Sequence, residues 1–173
     1  GAFTLDPARA RAKLREFQLA DPFRYVLLLV QALARRGATR IDVDIDADDV
    51  CLSSDALPFT TAELEDLYLL VFAEETPSAG VRELALGLNA AMATDPLWVR
   101  VECGGAPCEP GVLLEQRNDA PDRVAPLLDA APGIRVVVHQ RFSLGLIKRF
   151  FVASQGKTRE QALLREHCGW AGI

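Results

Sequence analysis

Residues 25–34 read YVLLLVQALA, and residues 40–46 read RIDVDID. The first segment places apolar side chains nearly all round a helix, so it must be covered from more than one side. Asp21-Pro22 opens that helix, over roughly residues 22–36, with an N-cap acid and a proline at the first helical position. Gly37 ends it, and Arg35 and Arg36 stand where cations suit a helix C-terminus. The second segment alternates strictly: Ile41, Val43 and Ile45 fall on one side, and Asp42, Asp44 and Asp46 on the other. A buried helix joined by so short a turn to a one-sided strand calls for a layered domain in which helix and sheet share one core.

The remainder of the chain fits that plan. Asp6-Pro7 predicts a short capped helix before residue 20. ADDVCLSS (47–54) reads as a turn and second strand, and Thr60 or Thr61 with Glu63 or Glu65 marks a capped helix running to about Ala73. VRELALGLNAAMA (81–93) is an apolar helix. LWVRVEC and GVLLEQR pair as strands across a loop, residues 117–132 read as irregular, and GIRVVVHQ is a further strand. SLGLIKRFF and TREQALLREHC are helical. Helices interrupting strand pairs predict an α/β (α+β) two-layer sandwich, a mixed β-sheet with helices packed on one face. The expected divisions are an N-terminal capped helix (1–20), a main domain (21–140) and a C-terminal helical extension (141–173) leading into a longer chain.

Half the residues are apolar and a quarter are charged, so a chain of 173 residues can bury a real core. A net charge of −5 argues against nucleic acid as the partner. The charge is uneven. Residues 133–173 hold seven Lys/Arg against two acids, leaving 12 basic and 22 acidic residues elsewhere. That basic third reads as a solvated helical surface, with docking of an acidic partner as the alternative. No apolar run approaches the roughly 18 residues of a membrane span. Four irregularly spaced cysteines read as reduced thiols, so a cytoplasmic location is expected.

Taken together, YVLLLVQALARRGATRIDVDID and SDALPFTTAEL resemble the GHKL superfamily of gyrase, the ninety-kilodalton heat-shock chaperone, histidine kinases and MutL. MutL-like and chaperone-like N-terminal domains are nearest. The resemblance covers roughly residues 22–103, and residues 133–139 weakly. It implies the Bergerat fold, a nucleotide cleft built from four boxes, and self-association into a homodimer.

Carried over residue by residue, the boxes lack their chemistry. The family's glutamate base falls at Leu28 and its magnesium-binding asparagine at Ala32, with Gln31 one position off that face. Loss of a general base alone costs about 10²–10⁴ in rate, and magnesium needs oxygen ligands. The adenine-binding aspartate falls at Ser54 and the following glycines at Ala56 and Pro58; Asp55, one place on, is the alternative contact to the base. Of the glycine-rich lid only Gly80 remains, with Arg82 where another glycine is expected, and the late Gly-Thr pair is Gly133-Ile134. The vestigial nucleotide-site residues are therefore Ser54, Asp55, Ala56, Gly80 and Arg82. Leu57 and Phe59 add bulk beside them, so the cleft is expected to be filled by its own side chains, a residual apolar cavity being the alternative.

The expected function is that of a catalytically inactive pseudo-ATPase domain, a structural or protein-interaction module whose partner is another protein, other domains of a longer chain, or a second copy. No metal and no cofactor are expected; the alternative is a chaperone-like domain that binds ATP or ADP with magnesium and hydrolyses it weakly or not at all. Other constellations are thinner. Cys103-x4-Cys108 with His167-Cys168 is a loose zinc pattern, Cys51 or Cys168 with His139 a loose nucleophile pair, and the Asp42, Asp44, Asp46 row diverges into water.

Overall fold

The computed structural model describes residues 14, 19–72, 77–106, 108–141, 152–153 and 158–169. The helices expected at Asp6-Pro7 and at SLGLIKRFF lie outside the described residues, apart from Leu14, which is helical and buried. After a single 3-10 turn at Pro22–Arg24, whose Phe23 amide donates to Asp21, comes α1 (Tyr25–Arg35). Strands β1 (Ile41–Ile45) and β2 (Asp49–Ser54) follow, then short helices α2 (Thr61–Glu65) and α3 (Leu67–Leu70), and α4 (Val81–Met92). The chain continues through β3 (Trp98–Gly105), β4 (Cys108–Gln116), β5 (Arg123–Leu127), β6 (Gly133–His139) and α5 (Arg159–His167).

The strands form one six-stranded sheet in the order β1-β2-β6-β3-β4-β5. Alternation along each strand separates two faces. Val50 and Leu52, Ile134, Val136 and Val138, Val99 and Val101, and Val112 and Leu114 point to the core, each at most 2% exposed. Leu29 and Leu33 of α1 and Leu84 and Leu88 of α4 belong to the same cluster. Burying each such side chain is worth about 1.5–3 kcal/mol, so this layer dominates stability. The α/β sandwich is therefore the observed architecture. The sheet, expected as mixed, is antiparallel at each of its pairings, because β6 enters between β2 and β3 running against both.

Two local expectations are corrected. Residues 123–127, read as irregular, form the edge strand β5; its Pro126 is tolerated because an edge needs no donor on its outer side. The helix expected to reach Ala73 breaks at Asp66 (φ −96°, ψ 12°), which lets Leu64, Leu67 and Tyr68 all enter the core. The helix α1 is less enclosed than its sequence implies, since Gln31 and Ala34 are exposed. α5 packs into the common core through Leu163 and Leu164, each 2% exposed, and Tyr25 of α1 donates to the fully buried Glu160 (3.3 Å). Among the described residues no helix is long and apolar enough to cross a membrane.

Candidate functional site

The four boxes inferred from the resemblance come together in two pairs. The first pair is Ala32 with Gly80. Ala32 has no exposed surface, and its carbonyl already accepts the Arg36 amide at 3.0 Å. Gly80, at the N-terminus of α4 with φ +84°, lies so close that a Cβ there would stand 2.6 Å from the Ala32 oxygen and 3.0 Å from Arg36 Cγ. The start of α4, where the resemblance would seat phosphate, is pressed against the backbone of α1. One turn earlier, Leu28 is half-buried, with its Cβ 3.3 Å from where a Cβ on Gly87 of α4 would lie. The two helices thus meet along the face where base and metal ligand are expected. Leu28 and Ala32 supply no oxygen side chain and Gly80 leaves no gap beside Ala32, so these residues do not fit a magnesium-bound triphosphate. Arg82 is exposed on the first turn of α4.

The second pair is Ser54 with Gly133-Ile134. Ser54 pairs with Ile134 across β2 and β6, its hydroxyl donating to the Ile134 carbonyl (3.4 Å) and accepting from the Ala56 amide (3.4 Å). Gly133 faces the Ser54 carbonyl so closely that no side chain fits. Ala56 is 1% exposed and Phe59 fully buried, whereas Leu57 stands 64% exposed. Asp55 does not turn towards a base site. Its carboxylate accepts the Thr39 amide (2.9 Å), the Arg40 amide (3.0 Å) and the Thr39 hydroxyl, tying down the turn between α1 and β1. The Thr39 hydroxyl and the two amides hold the Asp55 carboxyl below the usual aspartate range.

Between these pairs sits a clamp that the sequence reading left out. Arg36, just past the end of α1, sends Nε to the Leu57 carbonyl (3.1 Å) and Nη2 to the Pro58 carbonyl (2.5 Å). Both terminal nitrogens also reach Glu63, at 3.1 and 3.3 Å, and the guanidinium lies 4.4 Å from the Phe59 ring centre. Glu63 in turn accepts the Thr60 amide (2.7 Å) and the Ser78 hydroxyl. Burial alone would raise the Glu63 carboxyl; Ser78, Thr60 and Arg36 outweigh it and hold the carboxyl below the glutamate range. The Arg36 and Glu63 side chains are only 13% and 16% exposed, so the pair is shielded from water and stiffens residues 57–63. Arg36 had been legible only as a cation at a helix end and Glu63 only as half of a capping box. That they meet follows from the tertiary path, not from spacing. An open recess of about 430 Å³ adjoins the clamp, lined by Arg35, Arg36, Gly37, Leu57, Pro58 and Ala79.

Among the described residues the cysteine patterns do not assemble. Cys103 is buried in β3, Cys51 accepts from Arg135 (3.3 Å), and His167 is exposed beside Glu166; the Cys108 side chain lies outside the described residues. His139 instead bonds Asp49 (Nδ1 to Oδ1, 2.8 Å) and stacks on Trp98. Asp48, Asp49 and His139 are the group of metal-capable side chains among the described residues, their ligand atoms within 4.8 Å of one another. A hydrogen bond shared with Asp46, with some burial and the nearby Asp46 and Asp49 charges, raises the Asp48 carboxyl.

Comparison with models of known protein families and with curated proteins finds no match in either set.

Proposed function

We propose that this chain is a degenerate Bergerat-type domain of the GHKL superfamily that does not hydrolyse ATP and serves as a structural or protein-interaction module, chaperone-like or repair-like, acting on a protein partner, on other domains of a longer chain, or on a second copy. The observation that carries this reading is the seating of Gly80 against the Ala32 carbonyl, with the Arg36–Glu63 clamp beside it. Where relatives of this type would need space for phosphates and a loose glycine loop for adenine, there is helix-on-helix contact and a loop fixed through its carbonyls. The two surviving box glycines support it too. Gly80 and Gly133 each press against a backbone carbonyl, so both are accounted for without a ligand.

A second reading, a domain that binds ADP or ATP with magnesium but turns over weakly or not at all, draws on the recess beside Arg35 and Arg36. Melting the chain with millimolar ADP or ATP and magnesium separates the two. A ligand at a thousandfold excess over its Kd stabilises by about 4 kcal/mol, which for a chain of this size raises Tm by roughly 8–16 °C. The module reading expects no shift and no phosphate release; a shift without release establishes the binder, and release establishes an ATPase.

A further inference from the structure

The two edges of the sheet are built differently. β5 carries Pro126, which has no amide hydrogen to offer, so that edge is blunted. β1 has no proline, and among the described residues no strand lies beyond it. Its backbone orientation follows from two bonds. The Asp46 amide donates to the Asp49 carbonyl (3.0 Å) and the Arg40 amide donates to Asp55 (3.0 Å), so the even-numbered amides turn towards β2. By the alternation of an antiparallel ladder, Ile41, Val43 and Ile45 turn their N–H and C=O groups outward.

The side chains along this edge are sorted by face. Ile41 and Val43 are half-buried and pack on the core, leaving an apolar strip that a further strand would continue. On the other face Asp42 and Asp44 are exposed, as are Asp46 and Asp48 in the adjoining turn. Arg40 pairs with Asp42 at 2.8 Å, but both side chains are more than half exposed, so that contact is weak and exchangeable. A second copy suits this edge badly. Registers centred on any residue from Asp42 to Ile45 that keep Ile41 and Val43 over the core set Asp42 or Asp44 opposite an aspartate of the copy, and like charges so placed repel. The register centred on Ile41, which sets Asp42 opposite Arg40, overlaps the two strands at their first residue alone, and registers shifted by one residue send the apolar strip to the wrong face.

We propose that the outer edge of β1 docks an extended segment of a partner protein in which Lys or Arg alternates with apolar residues, added antiparallel as a seventh strand. The Ile41, Val43 and Ile45 backbone supplies the ladder, and Asp42 and Asp44, in the closely spaced non-hydrogen-bonded positions, face the basic side chains. This docking stands on the geometry of the edge alone, whether or not a nucleotide binds elsewhere.

The test uses the full chain and fluorescein-labelled Lys-Val-Lys-Val-Lys-Val-Lys, read by anisotropy. Two controls accompany it, the same peptide with alternate amides N-methylated and a Glu-Val repeat of equal length. The basic peptide is expected to saturate and to weaken with salt. Asp42→Asn with Asp44→Asn is expected to lower its affinity about tenfold, the effect of two cross-strand charge pairs, with no loss of melting temperature because both side chains are in water. N-methylation is expected to abolish binding, which a purely electrostatic association would survive. Absence of binding by the basic peptide, equal binding by either control, or unchanged binding by the double variant would overturn the proposal.

Discussion

Replacing Gly80 by alanine puts the contact between α1 and α4 to a quantitative test, because Gly37 supplies a matched control. Both glycines have φ +84°. A Cβ at Gly37 meets nothing within 4 Å, so Gly37→Ala carries only the left-handed backbone cost, about 1 kcal/mol. At Gly80 the new methyl stands 2.6 Å from a main-chain oxygen, Ala32 O, which cannot swing aside as a side-chain tip can. Overpacking of that kind adds about 1–3 kcal/mol, so Gly80→Ala is expected to cost about 3 kcal/mol in all. At roughly 2–4 °C per kcal/mol the two variants separate clearly: about 2–4 °C lost for Gly37→Ala and about 6–12 °C for Gly80→Ala. Thermal melts followed by circular dichroism, with urea titrations for the free energies, measure both. Equal losses, or a smaller one at Gly80, would show that α4 does not start hard against α1 and that room for a ligand remains there.

Three further outcomes follow from the same contacts. Arg36→Ala strands Glu63 and two loop carbonyls and is expected to cost about 2–4 kcal/mol by urea titration, with Glu63→Gln milder because its one amide oxygen keeps the Thr60 bond while its NH2 can donate to the Ser78 hydroxyl oxygen. The Asp55 and Glu63 carboxyls are held below their ordinary values of 3.8 and 4.5, so the folded state binds these protons less readily than the unfolded chain; their contribution is full above those values and is lost as pH falls through the lower folded ones. Melts in that acid range should therefore show a smaller pH dependence in Glu63→Gln than in the parent. Leu163→Ala, deep in the common core, is expected to cost about 2–5 kcal/mol while unfolding keeps a single transition; a separate early transition would make α5 an independent unit.

Much of the layering is written in local spacing. Asp21-Pro22, Gly37 and the apolar run between them fix α1, and strict alternation fixes β1. Thr60 with Glu63 closes a capping box as the spacing demands, with both reciprocal bonds formed. These features need only neighbours a few residues apart. β5 escaped because five residues that include a proline carry too little periodicity to stand out from loop, and the break at Asp66 because one irregular residue leaves the apolar pattern on both sides intact. The insertion of β6 between β2 and β3 joins residues some eighty positions apart and has no local signature.

The candidate site divides along the same line. Which side chains stand at Leu28, Ala32, Ser54 and Ala56 is legible by counting. What those side chains pack against is not. Asp55 reads as a neighbour of the base site yet spends its oxygens on the Thr39–Arg40 turn. Arg36 and Glu63 have local explanations as helix-end cation and capping acid, and those explanations conceal the clamp they form together. A residue with a sufficient local reason gives no sign of a second, tertiary one.

The central claim is that backbone and side chains of this domain fill the space a triphosphate would need, and a crystal structure grown with a millimolar non-hydrolysable ATP analogue and magnesium tests it most directly. The account predicts Gly80 still seated on the Ala32 carbonyl, the Arg36–Glu63 pair intact and no analogue between α1 and α4. An ordered analogue with its phosphates between Ala32 and Gly80 would contradict it.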